Sequence, residues 1–147
     1  MKLPKHSYAF IDGSYNPKTK IYGCGGFLID QRGRKHILQA VGDDPGLRKM
    51  RNVAGEILGS RLAIQKAVNL HMKKLTLFHD YEGIAKWPLG LWKCKKAATK
   101  EYSDFVRNVM NGSLKLYFQH VKGHSGIPGN DEADQLARLA VQLGGSK

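Results

Sequence analysis

Residues 7–41 read SYAFIDGSYNPKTKIYGCGGFLIDQRGRKHILQAV, and the punctuation of this stretch predicts three strands joined by turns. The apolar run at 7–11 ends on Asp12-Gly13-Ser14, a turn signature that Asn16-Pro17 prolongs. Residues 20–30 read as a second strand, with three glycines (Gly23, Gly25, Gly26) that suggest close backbone approach. Gln31 to Gly33 form another turn, and 34–41 reads as a third strand. Short connections of this kind join antiparallel neighbours, so the three strands are expected to form a meander.

Beyond the meander the pattern changes. Residues 42–51 read as a polar loop. From Asn52, taken as the N-cap, Val53, Ile57, Ile64 and Val68 recur at helical spacings, predicting a long amphipathic helix. Residues 74–79 (KLTLFH) form a fourth strand running into Asp80. A short helix at 81–87 stops before Pro88, and a longer one covers 99–111. The fifth strand, 114–121, is followed by the loop KGHSGIPGN and a last helix at 131–143. A meander followed by strand–helix–strand crossovers implies an α/β fold, one mixed sheet with helices on its faces. The 147 residues are expected to make one domain.

Charge narrows the function. Lysine and arginine number 24 against 12 acids, a formal net charge of +12 that favours a polyanionic partner, nucleic acid before an anionic membrane surface. No apolar run approaches a membrane span or a secretory signal, and Cys24 and Cys94 are too few for a disulfide scaffold. A cytoplasmic location, without membrane contact, is therefore expected. Between Lys86 and Lys100 five lysines occur with no acid, flanked by Trp87 and Trp92. Lysines neutralise phosphates and indole faces pack on sugars or bases, while core anchoring of each tryptophan is an equally good reading.

Against this basic background four acids fall at the ends of elements. Asp12 closes the first strand, Asp80 closes the fourth, and Glu56 and Asp134 sit in first turns of helices. Ligand sites of α/β sheets lie beyond the carboxyl ends of parallel strands. Taken singly, each acid has a plain explanation: a turn residue, a helix cap, a partner of the helix dipole. Taken together, converging carboxylates repel unless cations lie among them, and hard oxygen donors suit Mg²⁺ or Mn²⁺. Two such ions could activate water and stabilise the leaving oxygen of a phosphodiester. His124, in Gly-His-Ser-Gly ten residues before Asp134, has the chemistry to relay protons.

The segments FIDGSYNP, RNVAGEILGSRLAI, LTLFHDYEGIAKW and VKGHSGIPGNDEADQLA together resemble type 1 ribonuclease H, in order and spacing, over nearly the whole chain. The resemblance implies the ribonuclease H-like fold, a five-stranded sheet ordered 3-2-1-4-5 with strand 2 antiparallel. It implies a catalytic domain over 1–147, without a separate hybrid-binding domain, acting as a monomer. It implies cleavage of the RNA strand of RNA–DNA hybrids with two Mg²⁺ ions (Mn²⁺ as the alternative), leaving 5′-phosphate and 3′-hydroxyl ends. On this likeness Asp12 bridges both metals, Glu56 and Asp80 serve the leaving-group side, Asp134 the water side, and His124 proton transfer and product release. Asn16 and Asn52 would contact RNA, and Arg51 stands where the family often has a phosphate-binding threonine. Trp87, Trp92, Lys93, Lys95 and Lys96 resemble a shortened basic protrusion that grips the DNA strand. A non-catalytic binding module and a DNA-directed metal nuclease are the competing classes. The intact acids argue against the first, and Asn52 with the Gly-His-Ser-Gly loop against the second.

Overall fold

Side chains alternate across a strand, and the first strand shows what each face is for. Ala9 and Ile11 point to one apolar cluster, Phe10 to another. The computed structural model describes residues 3–5 and 7–144. Its elements are β1 (Tyr8–Asn16), β2 (Ile21–Ile29), β3 (Lys35–Gly42), α1 (Pro45–Arg48), α2 (Asn52–Asn69), β4 (Lys74–His79), α3 (Gly83–Lys86), α4 (Ala97–Met110), β5 (Lys115–His120) and α5 (Pro128–Gly144). The sheet is ordered β3-β2-β1-β4-β5. β1–β2 and β2–β3 are antiparallel, whereas β1–β4 and β4–β5 are parallel, as the expected mixed sheet requires.

Helices cover both faces. On one, α2 and α4 bury Ile57, Ile64, Tyr102 and Val106 against Ile11, Leu75 and Leu77. On the other, α5 places Ala133 over Phe10, Phe27 and Phe78. The Phe10 and Phe78 rings stack at 4.4 Å across the parallel pair. Two residues beyond that pair, the register brings Asp12 abreast of Asp80. Among the described residues no helix is long and apolar enough to cross a membrane.

The structure corrects four local expectations. Asp12-Gly13-Ser14 is strand, not turn: its residues pair with Gly25, Cys24 and Gly23 in the β1–β2 ladder. The turn lies after Asn16, where Lys20 N–H donates to the Asn16 carbonyl at 2.8 Å. Residues 45–48 form one helical turn inside the predicted loop, with Pro45 inside its start and the Asp44 side chain accepting from Gly46 N–H. α2 begins at Asn52 itself, with Arg51 before it at φ +55°, so Asn52 is no cap and Glu56 lies in the second turn. α5 starts three residues early at Pro128, which puts Asp134 in its second turn as well.

The packing of α2 on β1 is tight enough to depend on missing side chains. A Cβ on Gly13 would stand 2.1 Å from the Asn52 carbonyl oxygen, and one on Gly55 2.1 Å from that of Gly23. Both obstacles are backbone, so neither yields without moving the helix. Gly55→Ala is expected to cost about 1–3 kcal/mol by overpacking, read as a lower urea midpoint; an unchanged midpoint would show that α2 has slack here.

Candidate active site

The carboxyl end of β4 is where the backbone ladder runs out. Amides beyond it need acceptors, and a buried N–H without one is costly. Glu56, reaching from α2 past the end of the strand, supplies them. Its Oε1 accepts from Asp80 N–H at 3.1 Å, and its Oε2 from Tyr81 N–H at 3.1 Å. Glu56 is 5% exposed. Its place beside Asp12 is thus held by main chain rather than by a basic partner.

Asp12, Glu56 and Asp80 each offer an oxygen within 4.8 Å of the others. Asp12 Oδ1 accepts from its neighbour Gly13 N–H at 2.9 Å, and Asp80 Oδ1 from Gly123 N–H at 3.0 Å. Gly123 comes so close that a Cβ there would lie 2.7 Å from Asp80 Oδ2. Among the described residues none of the three acids makes an ion pair, whereas Asp134 is bridged to Arg138 at 3.1 Å, one turn further along α5. Asp134 lies against Asp12 and lines the same cavity, of about 410 Å³, but stands outside the three-acid cluster. His124, at φ +57°, lines that cavity too, together with Arg51 and Asn52.

Electrostatics follow from burial. The Asp12 carboxyl rises from 3.8 to about 7, first because it is buried; the Gly13 amide opposes this, and the neighbouring Asp134 and Asp80 carboxyls add to it. The Glu56 carboxyl rises from 4.5 to about 8, again first by burial and then by the charge of Asp12, against the pull of the Asp80 and Tyr81 amides. Three hard oxygen donors with no cationic partner of their own fit a divalent cation.

Other expected contact residues are scattered more widely. Asn16 Oδ1 accepts from Lys18 N–H at 3.0 Å, so its carbonyl serves the β1–β2 turn. The Arg51 guanidinium lies 5.6 Å from the centre of the Tyr15 ring, a cation–π contact at the cavity mouth. Trp87 is only 7% exposed and packs in the core beneath α2 and α4, while it also lines the groove of Lys93, Lys95 and Lys96. Trp92 is half-buried against it, with ring centres 6.1 Å apart and Lys86 Nζ above the Trp92 face. Lys93, Lys95 and Lys96 are exposed and line a groove with Trp92 and Tyr81. Sequence reasoning did not single out Tyr15, Arg138 or the amide of Tyr81. Only Arg138 carried a readable signal, its i+4 spacing from Asp134.

Comparison with known proteins agrees with this geometry. The RNase H family model matches residues 4–142. Human Ribonuclease H1 is 38% identical over 98 residues, which cover 59% of this chain and 34% of that protein. The chain thus spans about a third of the mammalian relatives it matches. Ribonuclease H of Aeromonas salmonicida is 29% identical over 147 residues, covering 93% of this chain and 90% of its own. Among solved structures, RNase H1 from Halobacterium salinarum NRC-1 superposes with a TM-score of 0.71 at 18% identity, covering 92% of this chain and 97% of the other. LC11-RNase H1 in complex with an RNA/DNA hybrid gives 0.74 at 18%, covering 95% and 99%. The two structures share the fold.

Proton binding at the acids has a measurable consequence. Asp12 and Glu56 hold protons more tightly folded than unfolded, so stability falls as pH rises from about 4 to about 8. A cation that takes the place of those protons stabilises most where they are otherwise lost. Mg²⁺ is expected to raise Tm more at about pH 8 than at about pH 5; equal shifts at both would separate the ion from these carboxyls.

Proposed function

The chain belongs to the ribonuclease H family, and from that we propose that it hydrolyses the RNA strand of RNA–DNA hybrids with two divalent ions, Mg²⁺ in the first place, leaving 5′-phosphate and 3′-hydroxyl ends. The observation that carries the reading is the convergence of Asp12, Glu56 and Asp80, three carboxylates without cationic partners among the described residues, on a body of net charge +12. Divalent ions held there would neutralise the scissile phosphate and lower the pKa of an attacking water.

The chain's own groups divide the remaining work. Asp12, beside the other two acids and Asp134, would serve both ions, Glu56 and Asp80 would serve the leaving-group side, and Asp134 the water side. Arg138 keeps the Asp134 carboxylate oriented when no ion is near it. His124, on the exposed loop that Gly123 ties to Asp80, relays protons and helps release product. Asn52 and Arg51 flank the cavity mouth, where a minor groove lined with 2′-hydroxyls would lie. Asn16, whose carbonyl is used by its turn, has its amide NH₂ left to donate to RNA. The DNA strand would run along Lys93, Lys95 and Lys96, with Trp92 as the aromatic contact.

Labelled RNA–DNA, RNA–RNA and DNA–DNA duplexes, incubated with and without Mg²⁺, test the proposal. Cleavage is expected in the first alone, only with the ion, and abolished in Asp12→Asn while hybrid binding persists. Cutting of the DNA duplex, or full activity in Asp12→Asn, would overturn it. Replacing Lys93, Lys95 and Lys96 with alanine is expected to weaken hybrid binding. It should also flatten the dependence of log K on log salt by up to ~0.9 for each phosphate no longer neutralised; an unaltered slope would place these lysines off the nucleic acid.

A further inference from the structure

His79, the last residue of β4, is 1% exposed, and the chemistry assigned above does not use it. Its Nδ1 lies 2.9 Å from the Tyr81 carbonyl oxygen. A carbonyl only accepts, so Nδ1 carries the proton and donates. That bond closes a ring of atoms around Asp80, and the ring contains the amides of Asp80 and Tyr81, the two donors that hold the Glu56 carboxylate. The other ring nitrogen, Nε2, is buried and has no hydrogen-bond partner among the described residues. Phe118 and His120 pack against the imidazole edge-on, with ring centres 5.9 and 6.0 Å away. An apolar ring would fill this space without an orphaned acceptor, so packing does not account for a histidine here. What the imidazole alone supplies is the bond to Tyr81.

The geometry points to His79 as a positioning residue that locks the turn after β4 so that two backbone amides aim at Glu56, and so sets where that carboxylate stands among the metal ligands. The assignment rests on the acids being a metal site. The Tyr81 carbonyl also accepts from Ile84 N–H at 3.2 Å, opening α3. The same oxygen therefore joins the start of the helix to the end of the strand, with Asp80 between them.

Three substitutions separate positioning from packing. Asparagine puts an amide nitrogen at the same bond distance from Cβ as Nδ1, glutamine puts it one bond further out, and phenylalanine keeps a ring without a donor. His79→Gln and His79→Phe are expected to speed hydrogen exchange at the Asp80 and Tyr81 amides about tenfold, the loss of one hydrogen bond, with Leu75 and Leu77 unchanged. Mg²⁺ affinity by calorimetry is expected to fall by roughly tenfold, as when support behind a metal ligand is removed. His79→Asn should stay near wild type in both, and His79→Phe should keep its Tm.

Unchanged exchange or Mg²⁺ affinity in His79→Gln, or a His79→Asn variant no better than His79→Gln, would overturn the assignment. Should His79→Phe fail to fold, the asparagine–glutamine pair still decides. Amide exchange needs neither metal nor substrate. A wild-type chain that leaves hybrids uncut would sink the proposed activity while the amides still decide the role of His79.

Discussion

The close approach of α2 to β1 is the constraint on which the rest depends. Gly13 and Gly55 let the helix backbone lie directly on the strand backbone, and only at that distance does Glu56 reach past the end of β4 to the amides of Asp80 and Tyr81. A methyl group at either glycine would lift the helix and withdraw the carboxylate from its neighbours. The same approach buries Glu56, which is why its proton is held to about pH 8. Sterics at two glycines thus determine the electrostatics of a site several ångströms away.

Charge is segregated along the same lines. The acids sit where main-chain amides of Gly13, Asp80, Tyr81 and Gly123 face them, while Lys93, Lys95 and Lys96 are exposed along the groove that Tyr81 and Trp92 line. Amides orient a carboxyl group without supplying an opposing charge, so a cation can take the place of its proton. Exposed lysines stay hydrated until a polyanion displaces their counterions. A basic body suited to a polyanion and an acidic recess suited to divalent ions are compatible because the two signs are held apart. Of the four candidate site acids, Asp134 differs in being bridged to a base, Arg138.

Much of this was legible in the sequence. Strand and helix periodicities are local, and they carry the element order apart from the one-turn α1, whereas the sheet order 3-2-1-4-5 was implied by the resemblance to type 1 ribonuclease H. The acids were legible as candidates because they were expected at element ends, although only Asp80 directly follows one, while Asp12 lies inside β1 and Glu56 and Asp134 fall in second helical turns. Local reading failed where tertiary packing decided the conformation. Asp-Gly-Ser has turn chemistry, yet Gly13 lies in a strand because α2 needs a residue without a side chain there. The start of α5 was misplaced although Pro128 is a helix-opening signal, because the glycines on either side of it read as loop. The bond between His79 and Tyr81, and the hold of two amides on Glu56, leave no trace in residue type or spacing. They arise only when the chain is folded.

A direct test of the central claim, that these clustered carboxylates jointly hold a divalent ion, is paramagnetic broadening of backbone amide signals by substoichiometric Mn²⁺. The account predicts that Gly13, Asp80, Tyr81 and Gly123 lose intensity first, while Met72 and Leu114 at the other end of the molecule stay sharp. Broadening that instead follows exposed acids such as Asp43, Glu101 and Asp104, leaving Gly13 and Asp80 intact, would contradict it.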